Sequence, residues 1–256
     1  MKKRVLILGG TGRIGPGIIE EYCKNYRKSY DLVLGYHSRK PKYEGIKFVK
    51  VDLENIRSLK RAMKGVFVVV NLAANADADE KSFDKILRPN IVGAYNVFEA
   101  ARISKCKRVI FASSVHAIKG YPHDHEVKST EVPMPLNLYG ASKVFGEALC
   151  KVFSTKYNLS CLAIRIGAYV ADDKKKTVCF SRADYDYTIS QRDMAQLIHK
   201  CIMAPKSVKY AVLSGISNNR HKRMELNFTK KLVGYKPMDD GFEVCKKIKK
   251  KFRSSK

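Results

Sequence analysis

The stretch that decides the fold is Arg4-Val5-Leu6-Ile7-Leu8-Gly9-Gly10-Thr11-Gly12-Arg13-Ile14-Gly15. It begins as a short apolar run, which is typical of a buried strand, and changes abruptly into a glycine-rich turn. Apolar residues at helical spacing follow from Ile18 to Tyr22. The stretch therefore predicts a strand, a tight turn and a helix. The glycines at positions 9, 12 and 15 would let the backbone approach a diphosphate at the start of that helix.

Further strand-like runs alternate with helical patterns along the rest of the chain. The runs lie near residues 32–34, 47–51, 67–71, 108–112, 160–164 and 210–213, and one long helical pattern covers about 83–104. Such alternation predicts an α/β fold class, a doubly wound parallel sheet with helices on both faces. Binding crevices in such sheets lie at the carboxyl ends of the strands, where Gly9, Asp52, Ala73, Ser114 and Arg165 fall.

Tyr139 and Lys143 form the pattern with the clearest chemistry. Residues four apart lie on the same face of a helix, so the Lys143 ammonium can reach the pocket of the Tyr139 phenol. A tyrosine ordinarily titrates near pH ~10, and nearby positive charge favours its phenolate. The pair therefore predicts a general base. A Tyr-x-x-x-Lys pattern also occurs on solvated helix faces, and it gains its weight from the glycine-rich turn.

Five motifs in this order resemble those of the extended short-chain dehydrogenase/reductases, the NAD-dependent epimerase/dehydratase family. They are Gly9-x-x-Gly12-x-x-Gly15, Asp52-Leu53, Asn71-Leu72-Ala73-Ala74, Ser113-Ser114 and Tyr139-x-x-x-Lys143. More narrowly, the chain looks like the small uronate dehydrogenase and archaeal sugar dehydrogenase branch. That likeness rests on Phe111-Ala112-Ser113-Ser114-Val115-His116, Arg165-Ile166-Gly167-Ala168, Ile189-Ser190-Gln191-Arg192-Asp193 and Gly234-Tyr235-Lys236-Pro237.

The resemblance implies a Rossmann core over residues 1–165 and a small substrate lobe with a basic tail over 166–256, in one globular unit. It assigns catalysis to Ser114, Tyr139 and Lys143, and substrate contacts to Ser114, His116, Tyr139 and Arg182. The cofactor contacts that it implies are Gly9, Thr11, Gly12, Arg13, Ile14, Gly15, Ser38, Arg39, Asp52, Leu53, Leu72, Ala73, Ala74, Asn90, Lys143 and Ile166. Asn90 has a purely structural interpretation of equal weight.

The choice of cofactor depends on the end of the second strand, Gly35-Tyr36-His37-Ser38-Arg39-Lys40. NAD-preferring relatives place an acidic residue there, and this chain has none. Ser38, Arg39 and Lys40 would offer a 2′-phosphate donors rather than repulsion. We therefore expect NADP to be preferred, with NAD possible. The alternative is that Arg39 and Lys40 are ordinary surface cations.

The resemblance also implies oxidation of a sugar, sugar acid or sugar phosphate, at the anomeric carbon and to a lactone. Val115 and Ala168 replace an asparagine and a serine of the uronate dehydrogenases, which favours a different or phosphorylated sugar. One alternative is a nucleotide-sugar epimerase, dehydratase or reductase, which normally has a larger C-terminal lobe. Two others are a non-catalytic dinucleotide-responsive binding protein, and a reductase or isomerase of small aromatic compounds.

Composition sets the remaining expectations. The 256 residues carry a formal charge of +26, which predicts weak, non-specific attraction of nucleic acid rather than a dedicated groove. The run Lys246-Lys247-Ile248-Lys249-Lys250-Lys251-Phe252-Arg253 is interpreted as the basic end of a terminal helix.

No apolar run approaches the length of a membrane span. The stretch His123-Asp124-His125 is expected to be a polar loop without metal. Seven scattered cysteines favour reduced thiols in a cytoplasmic protein. A homo-oligomer, such as a homodimer, is expected.

Overall fold

A parallel sheet of seven strands forms the centre of the molecule. The structure is a computed structural model that describes residues 2–38, 40–171 and 182–253, with only the backbone described at 182–184, 249 and 251–253. The nine strands in it are β1 (Lys3–Leu8), β2 (Tyr30–Tyr36), β3 (Lys47–Lys50), β4 (Val68–Asn71), β5 (Arg108–Ser114), β6 (Ser160–Ile166), β7 (Ala168–Val170), β8 (Thr188–Ser190) and β9 (Tyr210–Gly215). The order in the main sheet is β3-β2-β1-β4-β5-β6-β9, while β7 and β8 form a separate parallel pair.

Helices connect these strands. The α-helices of the described chain are α1 (Gly15–Glu21), α2 (Ile56–Ala62), α3 (Phe83–Ile86), α4 (Gly93–Ile103), α5 (Leu138–Tyr157), α6 (Gln191–Met203), α7 (Asn227–Val233) and α8 (Gly241–Arg253). A π-helical turn, Tyr22–Tyr26, extends α1, and a second one, Leu87–Val92, joins α3 to α4. Short 3₁₀ turns cover Val115–Ala117 and Arg182–Tyr187.

The sheet has a hydrophobic core on each face. Alternate residues of β1 enter different cores: Val5 and Ile7 pack in the one that contains residues of α1 and α6, while Leu6 and Leu8 pack in the one that contains residues of α2, α4 and α5. Strand side chains alternate between faces, so both faces of the sheet are covered. The predicted doubly wound α/β fold is confirmed.

The strand order reverses between β1 and β4, and this reversal opens a crevice at their carboxyl ends. The glycine-rich turn leaves β1 at this position. Gly9 has a φ of +76°, and a Cβ there would lie 2.7 Å from the backbone nitrogen of Ala73. Glycine is therefore required at the point where the loops after β1 and β4 meet.

α5 lies directly against β5. A Cβ on Gly146 would be 2.1 Å from a ring carbon of Phe111, so the helix approaches the strand more closely than any other residue would permit. Asn137 caps the start of α5, since its Oδ1 accepts a hydrogen bond from the Gly140 N–H at 2.7 Å. The helix ends at Asn158, which adopts the left-handed conformation with a φ of +52°. These contacts fix α5 relative to the end of β5.

Two details differ from the sequence expectations. The helical pattern over 83–104 is not one α-helix, because a π-helical turn that contains Pro89 interrupts it. Proline lacks the N–H that a regular helix needs at that position. Among the described residues five cysteines are free, as expected, but Cys245 is disulfide-bonded. The basic run near the C-terminus does form the end of a helix, α8. Within the described part of the chain, no helix combines the length and the apolar character of a membrane span.

Candidate active site

Three elements bring the predicted catalytic residues together at the carboxyl edge of the sheet. Ser114 ends β5, His116 lies in the following 3₁₀ turn, and Tyr139 and Lys143 lie on the first turns of α5. The His116 and Tyr139 rings meet edge to face with centroids 5.4 Å apart. The Lys143 Nζ is 5.4 Å from the centre of the Tyr139 ring. The predicted constellation is therefore assembled in space.

Burial controls the protonation of this group. It raises the pKa of the Tyr139 phenol above its ordinary value, while a hydrogen bond with Ser114 and the charge of Arg13 act in the opposite direction. Burial lowers the pKa of Lys143 to about 7. That Lys143 and an oxidised cofactor lower the pKa of Tyr139 stays a prediction, and the Lys143 ammonium is less favoured here than it would be on a solvated helix face. The reason is that Lys143 is only 4% exposed, which disfavours its charged form.

Asn137 determines which nitrogen of His116 carries the hydrogen. Its Oδ1 accepts from the Gly140 N–H, so its Nδ2 must face the His116 Nδ1, which lies 3.0 Å away. The amide nitrogen donates, so Nδ1 accepts. Burial lowers the pKa of His116 to about 4, and the ring is neutral near pH 7. Its hydrogen is therefore on Nε2, and His116 is a hydrogen-bond donor at that atom.

Replacing Asn137 with aspartate is expected to change this protonation state without removing the helix cap. A carboxylate caps a helix as well as an amide does, but beside Nδ1 it would favour the protonated ring and raise the pKa of His116. In the unmodified protein the free energy of unfolding should fall as the pH falls from about 6.5 to about 4. Over this range His116 is protonated in the unfolded chain but still neutral in the folded protein. Asn137→Asp should reduce that fall. Histidine ¹⁵N NMR and urea unfolding at several pH values measure both effects.

Asn137→Ser is the matched control, since serine also caps helices but offers no amide nitrogen. It should leave the pKa of His116 low, because burial is the larger cause. An Nδ1-protonated, neutral His116 in the unmodified protein would contradict the assignment.

Asn90 holds the start of α5 against the loop that follows β4. Its Oδ1 accepts from the Asn75 N–H at 2.8 Å, and its Nδ2 donates to the Asn75 carbonyl and to the Ser142 Oγ, both at 2.9 Å. Ser142 in turn donates to the Tyr139 carbonyl at 2.7 Å. Asn90 thus links the loop after β4 to α5, and its predicted cofactor contact stays a prediction.

Most of the predicted cofactor residues occupy the loops after four neighbouring strands. Thr11, Gly12 and Arg13 are exposed in the turn after β1, and the Gly12 N–H donates to the Gly9 carbonyl at 3.0 Å. α1 has no side-chain cap and no acidic residue in its first turn. Such a turn fits a diphosphate, which would take the place of a cap.

The remaining predicted residues lie along the same edge. Asp52 is exposed and Leu53 half-buried after β3, and the half-buried residues that follow β4 are Leu72, Ala73 and Ala74. Ile166 pairs with Ser114 across β5 and β6. Ser38 is exposed just after β2. Arg39 lies outside the described residues, and so does the side chain of Arg182.

A buried ion pair lies against β5, the strand that ends at Ser114. Arg165 donates from Nε and from a terminal nitrogen to the two carboxylate oxygens of Glu147, both at 2.9 Å, and the Ser113 Oγ donates to the same carboxylate at 2.6 Å. Both charged side chains are no more than 5% exposed. The network ties α5 to β5 and β6, one turn of helix beyond Lys143.

Sequence reasoning missed Asn137 and Glu147. Asn137 carries a detectable signal, since an asparagine directly before a helical pattern is a typical N-cap. Glu147 carries none, because a glutamate within a helix resembles any exposed acidic residue until its partners in other strands are known.

Comparisons with known proteins agree with this geometry. A model of the NAD dependent epimerase/dehydratase family matches residues 5–178. The chain is 29% identical over 257 residues to the NAD-dependent glucose-6-phosphate dehydrogenase of Haloferax volcanii, covering 95% of this chain and 96% of that protein. It is 28% identical over 261 residues to the L-arabinose 1-dehydrogenase (NAD(P)(+)) of the same organism, covering 94% of this chain and 98% of that protein.

A solved structure has the same fold. The uronate dehydrogenase of Agrobacterium tumefaciens, a tyrosine-to-alanine mutant complexed with NAD, matches with a TM-score of 0.83 and 27% identity. The match covers 97% of this chain and 89% of that one. The folds therefore agree over nearly the whole chain.

Proposed function

The chain belongs to the NAD dependent epimerase/dehydratase family, and on that premise we propose that it is a dehydrogenase that oxidises a sugar, sugar acid or sugar phosphate with a nicotinamide cofactor. The observation that carries the proposal is the convergence of Ser114, Tyr139 and the buried Lys143 at one edge of the sheet, next to a glycine turn that can hold a diphosphate. Two relatives of matching length are named as sugar dehydrogenases.

In the proposed reaction Ser114 and Tyr139 hold the hydroxyl oxygen of the substrate. Tyr139 would take the hydroxyl proton, and an oxidised nicotinamide cofactor, when bound, would supply the acceptor for the hydride on the same carbon. One carbon–hydrogen and one oxygen–hydrogen bond break, and a carbonyl forms. With an anomeric hydroxyl the product is a lactone. The positive ring of the oxidised cofactor would favour the Tyr139 phenolate that burial alone disfavours.

His116 extends the site toward the substrate. The hydrogen on its Nε2 would donate to a substrate oxygen, and its neutral state adds no charge. Arg182 is proposed as a second substrate contact by resemblance.

The direct test measures cofactor reduction at 340 nm with aldoses, uronates and sugar phosphates. We expect sustained NAD(P)H formation with at least one of them, in proportion to product. An epimerase, in contrast, would retain its cofactor tightly and release no net NAD(P)H. That result with nucleotide sugars would replace the proposal.

We further infer that NADP is preferred over NAD. No acidic residue follows β2 between positions 36 and 40, and Ser38 and Lys40 are exposed there. A charged hydrogen bond contributes about 1.5–3 kcal/mol, so kcat/KM should favour NADP by about 10- to 100-fold. Ser38→Asp would repel the 2′-phosphate and should reverse the preference. A kcat/KM ratio below one for the unmodified protein would contradict the inference.

A further inference from the structure

We propose that the opposite, amino-terminal edge of the sheet carries a second binding site, which takes a small ligand with several phosphoryl groups. The site is a cleft of about 530 Å³ at the starts of β1, β4, β5 and β6, which we call the amino-edge cleft. Its cationic residues are Lys3, Arg102, Lys105, Lys107, Arg108, Lys206 and Lys209. Its volume lies within the range of small-molecule sites.

The first argument is charge. Sixteen residues line the amino-edge cleft, and none of them is Asp or Glu. Among the described residues, only Arg102 of the seven cations forms an ion pair, with Glu99 at 2.6 Å. Six like charges around one concavity repel each other, and a low-dielectric wall increases their field. A polyanion would relieve that repulsion.

The second argument is Arg108, whose charge is buried without a counter-ion. Its side chain donates to the Ser160 Oγ and to the carbonyls of Cys201, Ala204, Pro205 and Val208, at 2.8 to 3.3 Å. All these acceptors are neutral, and the residue is only 5% exposed. Burial lowers the pKa of Arg108, which shows that its charge is disfavoured there. These bonds use the five N–H groups of the guanidinium, so Arg108 acts on an anion in the cleft through the field of its uncompensated charge and not through a direct contact.

Helix ends explain part of the pattern but not all of it. α4, α5 and α6 end at this edge, and cations near helix C-termini are favourable by themselves. That effect accounts for Arg102, in the last turn of α4. It also accounts for Arg108, whose guanidinium donates to carbonyls at the end of α6. It does not account for Lys3 at the start of β1, or for Lys107 just before β5.

The position of the amino-edge cleft separates it from catalysis. Ser114 is at the far end of β5 from Arg108, so a ligand here would not compete with cofactor or substrate. The site is compact, since its cations surround one cleft rather than forming a stripe. A small phosphorylated molecule therefore fits it better than a nucleic acid strand, which needs an extended basic groove.

Isothermal titration calorimetry of the full-length protein with inorganic tripolyphosphate tests the proposal. The test variant replaces Lys107, Lys206 and Lys209 with glutamate. All three are exposed, so the fold should tolerate the change. The control variant makes the same replacement at Lys60, Lys231 and Lys246, which are exposed lysines outside the cleft. Both variants change the net charge equally.

We expect the unmodified protein to bind tripolyphosphate, the test variant to bind it at least about 30-fold more weakly, and the control to change by less than about threefold. Cofactor KM should be unchanged in the test variant. Equal weakening in both variants would show general charge attraction only and overturn the site. A 20-nucleotide single strand that binds more tightly than tripolyphosphate, and depends on the same three lysines, would overturn the ligand class.

Discussion

Tyr139→Phe is expected to lower kcat for sugar oxidation by about 10³-fold or more. The substitution removes one oxygen and leaves the ring against His116, so the fold and the cofactor site should be unaffected. A general base contributes about 10²–10⁴-fold to a rate, and Ser114 would also lose its partner. Steady-state kinetics at 340 nm measure the loss. KM for the cofactor and the thermal unfolding midpoint should stay close to those of the unmodified enzyme.

The pH dependence gives an independent readout of the same role. In the proposed reaction the phenolate is the active form for oxidation, and burial raises the pKa of Tyr139. We therefore expect kcat/KM for oxidation to rise with pH above neutrality. A plot of log(kcat/KM) against pH should have a slope near one. The residual activity of the Tyr139→Phe variant should lack this rise. A variant that keeps full turnover, or the same pH profile, would show that another group is the base.

Glu147→Gln is expected to lower the free energy of unfolding by about 3–5 kcal/mol. The amide cannot neutralise Arg165, so a guanidinium that is only 4% exposed would lose its counter-ion. Ser113 would also lose its carboxylate acceptor. Urea unfolding followed by circular dichroism measures the change. We expect activity to fall as well, because the network holds α5 against β5.

Two further variants separate this effect from a general loss of charge. Glu54→Gln breaks an exposed ion pair with Arg88 and should cost less than about 1 kcal/mol. The double variant Glu147→Leu with Arg165→Met removes both buried charges and should recover most of the lost stability. If Glu147→Gln cost no more than Glu54→Gln, the buried pair would not have the predicted importance.

Much of the fold was predictable because its signals are local. An apolar run that stops at Gly9, and a helical spacing from Ile18, specify a strand, a turn and a helix without any knowledge of the rest of the chain. Each of the seven predicted strands exists, and all lie in one parallel sheet. The π-helical turn around Pro89 was not predicted, since the apolar pattern there continues at nearly helical spacing.

The site was predictable only in part. The spacing of Tyr139 and Lys143 placed them on one helix face, but the effect of burial on Lys143 depends on how β5 and α5 pack, including Phe111 at 5.2 Å. Nothing in the sequence pattern indicates that the lysines of the amino-edge cleft converge. Lys3, Lys107 and Lys209 are far apart in the chain, and parallel strands with a common edge bring them together.

The contact between Gly146 and Phe111 has a consequence for enzyme engineering. Because this helix and strand touch without room for a methyl group, the spacing between Ser114 and Tyr139 is insulated from changes in the surrounding loops. Libraries that vary the predicted substrate lobe can therefore search for new sugar specificities while the proposed reacting pair, Ser114 and Tyr139, keeps its geometry. Diversity introduced at position 146 should instead yield mostly inactive clones.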